Sequence, residues 1–371
     1  MEKFRKFIIN GRTFIINSFS NEIDEFFIQM YSSYFGTGLF EWKNYQEEIS
    51  TFLSTTPDRD FIHNLYFNNF SEIWRLLLHS GNVNEAELIW QYALEPIIDF
   101  ETKNKNREIH KGTAYYIWGM TSLLRGDLDK GFLLMHQAVE EDVKTSKSDI
   151  PDTPAMAFAN LNSQKQDQAF RQWVVHQANF LDQLIKNYSN NYSRNFSLEN
   201  FRIKLLNDFH NLDITFLLVY TLTKLERINN VPVNALSSRF SSQLLLNLLF
   251  DFSVVIEAII KAKNPSGSSF IKHAHFLTNS INQVMSETEL GIINQNFKIN
   301  FDVTLASIVN HSFKLSNGFL LTDFQTCIAV TYGIRNKGAH DITSSEIVRN
   351  KINEIIQCVI NTLFCTVDYL Y

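Results

Sequence analysis

"SRFSSQLLLNLLFDFSVVIEAIIKAK", residues 238–263, is the stretch on which the fold turns. Its apolar residues recur three and four positions apart, the spacing of one helix face, and "NPSGSS" ends the run. The apolar part, Leu244 to Ile260, approaches the length of a membrane span. It carries Asn247, Asp251 and Glu257, and each is costly in lipid. The stretch therefore predicts a buried helix of a soluble protein with no membrane partner.

Downstream the same periodicity continues. "FIKHAHFLTNSINQVMSE" predicts a second helix, residues 303–313 a shorter one, and "LTDFQTCIAVTYGIRNK" the next, with Thr322 or Asp323 placed to cap it. The last helix is expected to open at a capping box, Thr343 with Glu346, and to run through Ile352, Ile356, Ile360 and Val367 to the end. Gly338 is expected to stop the helix before it. Residues 236–371 thus read as a four- or five-helix bundle, and "RNKGAH", residues 335–340, falls at the junction of its last two helices.

Upstream, "FRKFII" and "RTFIIN" flank Asn10-Gly11, the dipeptide a type I′ turn requires, so a short β-hairpin opens the chain. The rest is helical, and the fold class is all-α. "WRLLLHSGNVNEAELIWQYAL" and "WGMTSLLRGDLDKGFLLMHQAV" both run helix, glycine turn, helix, with Asn82 or Asp127 available as caps. This pairing resembles the tetratricopeptide helical hairpin; a plain antiparallel bundle fits it equally. Residues 1–142 form a helical, repeat-like domain, and residues 143–235, with Asn- and Ser-rich breaks, read as connecting loops and helices before the 236–371 bundle.

The net charge is −6, so the molecule lacks the overall basic field of a general nucleic-acid coat protein, and a nucleic acid must meet a local patch. Cys327, Cys358 and Cys365 have no metal-ligand spacing and read as core thiols in a reducing cytoplasm. The N-terminus lacks the features of a secretory signal. His273 and His275 in "HAH" point apart on a helix with no third ligand near, so no metal or cofactor is expected. "FGTGLF", residues 35–40, reads as a turn and not a phosphate cradle.

An arginine five positions before a histidine is a cheap pattern, and Arg171 with His176 has it too. Five residues on an unbroken helix turn the chain by about 500°, leaving the two positions about 140° apart and unable to converge on one group. Nothing in "QWVV" breaks a helix, so Arg171 and His176 read as a surface arginine and a helix histidine. In "NKGA" the glycine is expected to break it and to let His340 bend back toward Arg335.

Arg335, the polar Asn336 and His340, between the last two long helices of a C-terminal bundle, resemble the HEPN superfamily motif, and "LLLNLLFDFSVVIEAIIKAK" is similar to the first helix of many such bundles. The resemblance covers roughly a third of the chain. It implies metal-independent RNA cleavage at a homodimer interface, as in abortive-infection proteins, toxins and other defence ribonucleases. Arg335 would stabilise charge at phosphorus, and His340 would exchange a proton with the 2′-hydroxyl or the leaving 5′-oxygen. Asn336 would orient the imidazole or a phosphate oxygen, and Lys337 would add positive charge. The N-terminal helices would dock a partner or an activating ligand. The alternative is an ordinary helix stop in a non-catalytic adaptor that binds a protein or nucleic acid.

Overall fold

The computed structural model describes residues 4–55, 65–105, 108–145, 152–231, 239–267, 269–340 and 345–371, without the side chains of residues 44, 145, 169, 209, 239 and 338–340. The described chain is all-α apart from one two-stranded hairpin, β1 (Phe4–Ile9) and β2 (Arg12–Asn17), paired antiparallel with Ile9 opposite Arg12. Asn10 and Gly11 both take positive φ, 47° and 76°, the geometry of the expected turn. Phe14 and Ile16 of β2 point inward, and Phe14 packs on Tyr31 with ring centres 4.9 Å apart.

Two compact units divide the chain, residues 1–158 and 159–371. In the first, α1 (Asn21–Phe35) and α2 (Gln46–Thr55) precede two helical hairpins, α3 (Phe67–His79) with α4 (Val83–Lys103), and α5 (Gly112–Arg125) with α6 (Leu128–Thr145). Both hairpins turn in the same way. Gly81 and Gly126 take φ of 78° and 94°, and the next residue's N–H reaches back to the last helical turn, Asn82 to Leu77 O and Asp127 to Ser122 O. The caps differ: Asp127 Oδ1 accepts from the Lys130 N–H, whereas the Asn82 side chain makes no capping bond. Phe26, Phe27, Tyr66, Phe70 and Trp90 fill the core of this unit.

The second unit begins well before residue 236. The first unit closes with a short helix, α7 (Pro154–Ala159), and the second brings α8 (Gln168–Tyr192) and α9 (Leu212–Asn229). The bundle itself comprises α10 (Arg239–Lys263), α11 (Phe270–Ser280), α12 (Glu287–Ile299), α13 (Phe301–Val309), α14 (Asp323–His340), α15 (Glu346–Asn350) and α16 (Ile352–Leu370). The segment 143–235, expected as a connector, is in large part built into this unit. Tyr188 of α8 hydrogen-bonds Asp368 and packs on Phe364, both of α16, and Lys224 of α9 pairs with Asp251 of α10 at 2.8 Å.

Helices α10, α14 and α16 pack pairwise on one another. Phe240–Lys263 is long and apolar enough to cross a bilayer, and Phe252, Val255, Ile256 and Ile259 within it are buried in the bundle. Thr331 donates to Thr362 across the α14–α16 contact.

Three boundaries differ from the sequence expectation. Helix α14 does not end before Gly338 but continues through it to His340. The final helix is divided at Lys351 into α15 and α16, and Ser345 caps α15 by accepting the Val348 N–H. Thr343, the expected cap, lies outside the described residues. The helix expected over 270–287 ends at Ser280, the short one expected at 303–313 is α13, and between them lies a helix the periodicity did not indicate, α12, opening at a capping box formed by Ser286 and Glu289.

Candidate functional site

The motif occupies the last turns of α14. Thr322 starts that helix by accepting the Gln325 N–H while Gln325 Oε1 accepts the Thr322 N–H. Because the helix is continuous through Gly338, positions 335 and 340 are separated by about 140° around its axis. The bend expected at Gly338, which was to bring His340 back toward Arg335 in one chain, is absent. The His340 side chain lies outside the described residues, but its backbone position is on the helix. It is three, four and seven residues from Lys337, Asn336 and Gly333, and these positions share one face.

Arg335 faces α10. Its Nε donates to Glu257 Oε2 at 2.9 Å, with the two side chains 29% and 20% exposed, so the pair sits at the edge of the bundle and reaches solvent. Binding through Nε holds the guanidinium plane and leaves the two Nη groups as the fork that can take a phosphate.

Asn336 and Lys337 point elsewhere. The Asn336 amide donates to Asn294 Oδ1 of α12 at 3.0 Å, and Lys337 Nζ stands 5.4 Å from the Phe301 ring centre. Both side chains line an open groove of about 840 Å³ between α14 and the α12–α13 corner. Phe297 and Phe301 form its apolar wall, ring centres 5.5 Å apart, and Lys298 stands exposed at its rim. Gly333 allows the approach of Phe297: a Cβ there would lie 2.2 Å from the ring. Asp302, also in the lining, accepts from the Ser345 hydroxyl at 2.7 Å and from the Glu346 N–H at 3.1 Å, holding the start of α15.

The structure therefore gathers Asn336, Lys337 and position 340 on the groove face and turns Arg335 away from them. Sequence reasoning did not find Glu257, Asn294, Phe297 or Phe301 as site residues. The Ser286–Glu289 capping box announced the helix that carries two of them; nothing local announces the Glu257 partnership.

The remaining candidates are structural. Arg171 and His176 are exposed and separately engaged, Arg171 with the Gln166 carbonyl and His176 with Glu226. His275 Nδ1 contacts the Met285 carbonyl at 2.7 Å, while His273 is buried, and burial lowers its pKa from the ordinary value. Among the described residues no group of three or more His, Cys, Asp or Glu side chains is placed to hold a metal ion. All three cysteines are free thiols, and the Gly36–Gly38 stretch folds back on Ser32 as a turn.

No family model, curated protein or solved structure matches the chain.

Proposed function

We propose that the chain is an endoribonuclease of HEPN type, cleaving RNA through 2′-hydroxyl attack without a metal, with the reacting groups assembled across a homodimer interface of the C-terminal bundle. The observation that carries this reading is Arg335 itself: a guanidinium held through Nε by Glu257 at the solvent edge of a helical bundle, near the end of the long helix that also carries His340. The two Nη groups supply bidentate stabilisation of the pentacoordinate phosphorus, and the His340 imidazole supplies the proton transfer. The products are a 2′,3′-cyclic phosphate and a 5′-hydroxyl. DNA, without the 2′-hydroxyl, is inert by this route. A role as a regulated toxin or defence effector follows from the resemblance, and the N-terminal helical unit is the natural place for control.

The continuity of α14 bears on the mechanism. Positions 335 and 340 of one chain lie about 140° apart around the helix axis, so on this reading a second chain completes the site. The same observation supports a second reading, a non-catalytic bundle that only binds a protein or nucleic acid.

The test is cleavage of a structured and an unstructured RNA in excess chelator, comparing wild type with Arg335→Ala and His340→Ala at matched folding and dimer content. Cleavage that persists in chelator, yields cyclic-phosphate ends and is lost in both variants supports the nuclease. Cleavage retained in both variants removes the site, and absence of cleavage by the wild-type dimer favours the binding module.

A further inference from the structure

The groove beside the motif has a composition unlike an ordinary packing defect. Its lining combines aromatic rings, amides and ammonium groups, and its volume of about 840 Å³ is that of a small-molecule site, large enough for a nucleotide. The lining also holds one acid, Asp302, whose carboxylate accepts from the Ser345 hydroxyl and the Glu346 N–H and keeps its negative charge. Lys298 and Lys337 set two ammonium groups against that one carboxylate in a chain of net charge −6.

The arrangement of donors is informative. The Asn336 amide donates to Asn294 Oδ1 and also hydrogen-bonds Tyr332, and both amides line the groove. Side-chain amides carry both a donor and an acceptor, the groups with which the edge of a nucleobase pairs. The half-buried Phe301 ring offers a π-face, now occupied by the Lys337 ammonium.

We infer that this groove is a nucleotide subsite for single-stranded RNA: one unpaired base stacks on Phe301 and meets the Asn294–Asn336 amide pair, while its phosphate is held by Lys337 and Lys298. The inference rests on the nuclease reading for the identity of the polymer but not for its chemistry. Duplex RNA does not fit, because a paired base cannot enter the groove or present its edge.

The experiment uses the full-length chain carrying Arg335→Ala and His340→Ala together, so that probe RNA survives. Fluorescence anisotropy measures binding of a labelled single-stranded RNA oligonucleotide and of the same strand annealed to its complement. Tighter binding of the single strand is expected. Phe301→Leu, which keeps apolar packing but removes the ring, and Lys337→Gln are each expected to weaken it by about tenfold, the order associated with losing a stacking or phosphate contact. Phe301→Tyr is expected to keep the affinity. Equal affinity in Phe301→Leu, Lys337→Gln and the parent overturns the subsite, as does failure of the parent to bind either RNA.

The two readings fail separately. Cleavage by the otherwise wild-type chain that is indifferent to Phe301→Leu leaves the nuclease standing and removes the subsite. Groove-dependent binding without cleavage does the reverse.

Discussion

At the scale of single residues, the question is what fixes Arg335. Glu257 is 78 positions earlier in the chain, and its carboxylate takes the guanidinium Nε at 2.9 Å. Both partners are partly solvated, so screening keeps the contribution of the pair to stability at no more than about 1 kcal/mol. Its value lies in orientation. Glu257→Gln retains the shape and loses the charge, and it is expected to leave the urea midpoint nearly unchanged while lowering RNA cleavage by about tenfold, equivalent to roughly 1.4 kcal/mol in the barrier. Arg335→Lys preserves the charge but not the planar fork and is expected to be as poor as Arg335→Ala. Wild-type cleavage by Glu257→Gln would show that something else orients the arginine. In the sequence Glu257 was legible only as a charge that argues against a membrane span. A partnership across so long a separation has no local signature, whereas Arg335, Asn336 and His340 are close enough together to be noticed.

At the scale of elements, local rules served well where the chemistry is local. The Asn10-Gly11 turn, the paired glycine turns at Gly81 and Gly126 and the Thr322 cap of α14 all depend on a few adjacent residues, and all were readable. The reading missed where tertiary packing decides. Glycine is a statistical helix stop, yet Gly338 stays helical as α14 runs on to His340. The α12–α13 corner was partly overlooked for lack of a long apolar stripe, and with it the groove wall. The consequence is measurable. In a continuing helix Gly338→Ala is expected to stabilise the protein by about 0.5–1 kcal/mol, seen as a raised urea midpoint at unchanged slope. If the glycine were instead a left-handed stop, the same substitution would destabilise by a similar amount, and the 140° separation of positions 335 and 340 would no longer hold.

At the scale of the whole molecule, that separation decides how a catalytic site can be made. The all-α character and the bundle at the C-terminus were legible from periodicity alone, because helical spacing repeats over many turns. The extent of the second unit was not, since residues such as Tyr188 and Lys224 show their allegiance only through partners far along the chain. Within one chain the arginine and the histidine position lie on different faces of α14, so under the proposed nuclease function a working pair takes Arg335 from one protomer and His340 from its partner. Two inactive variants then become complementary. In a dimer of one Arg335→Ala chain and one His340→Ala chain, one composite site has lost both groups and the other has lost neither. Unfolding and refolding an equal mixture yields such dimers as about half of the population, each with one intact site of two, so about a quarter of wild-type cleavage is expected to return. Each variant alone stays inactive. If the mixture also stays inactive while forming mixed dimers, the two groups act within one chain or not at all, and composite catalysis across the twofold axis is excluded.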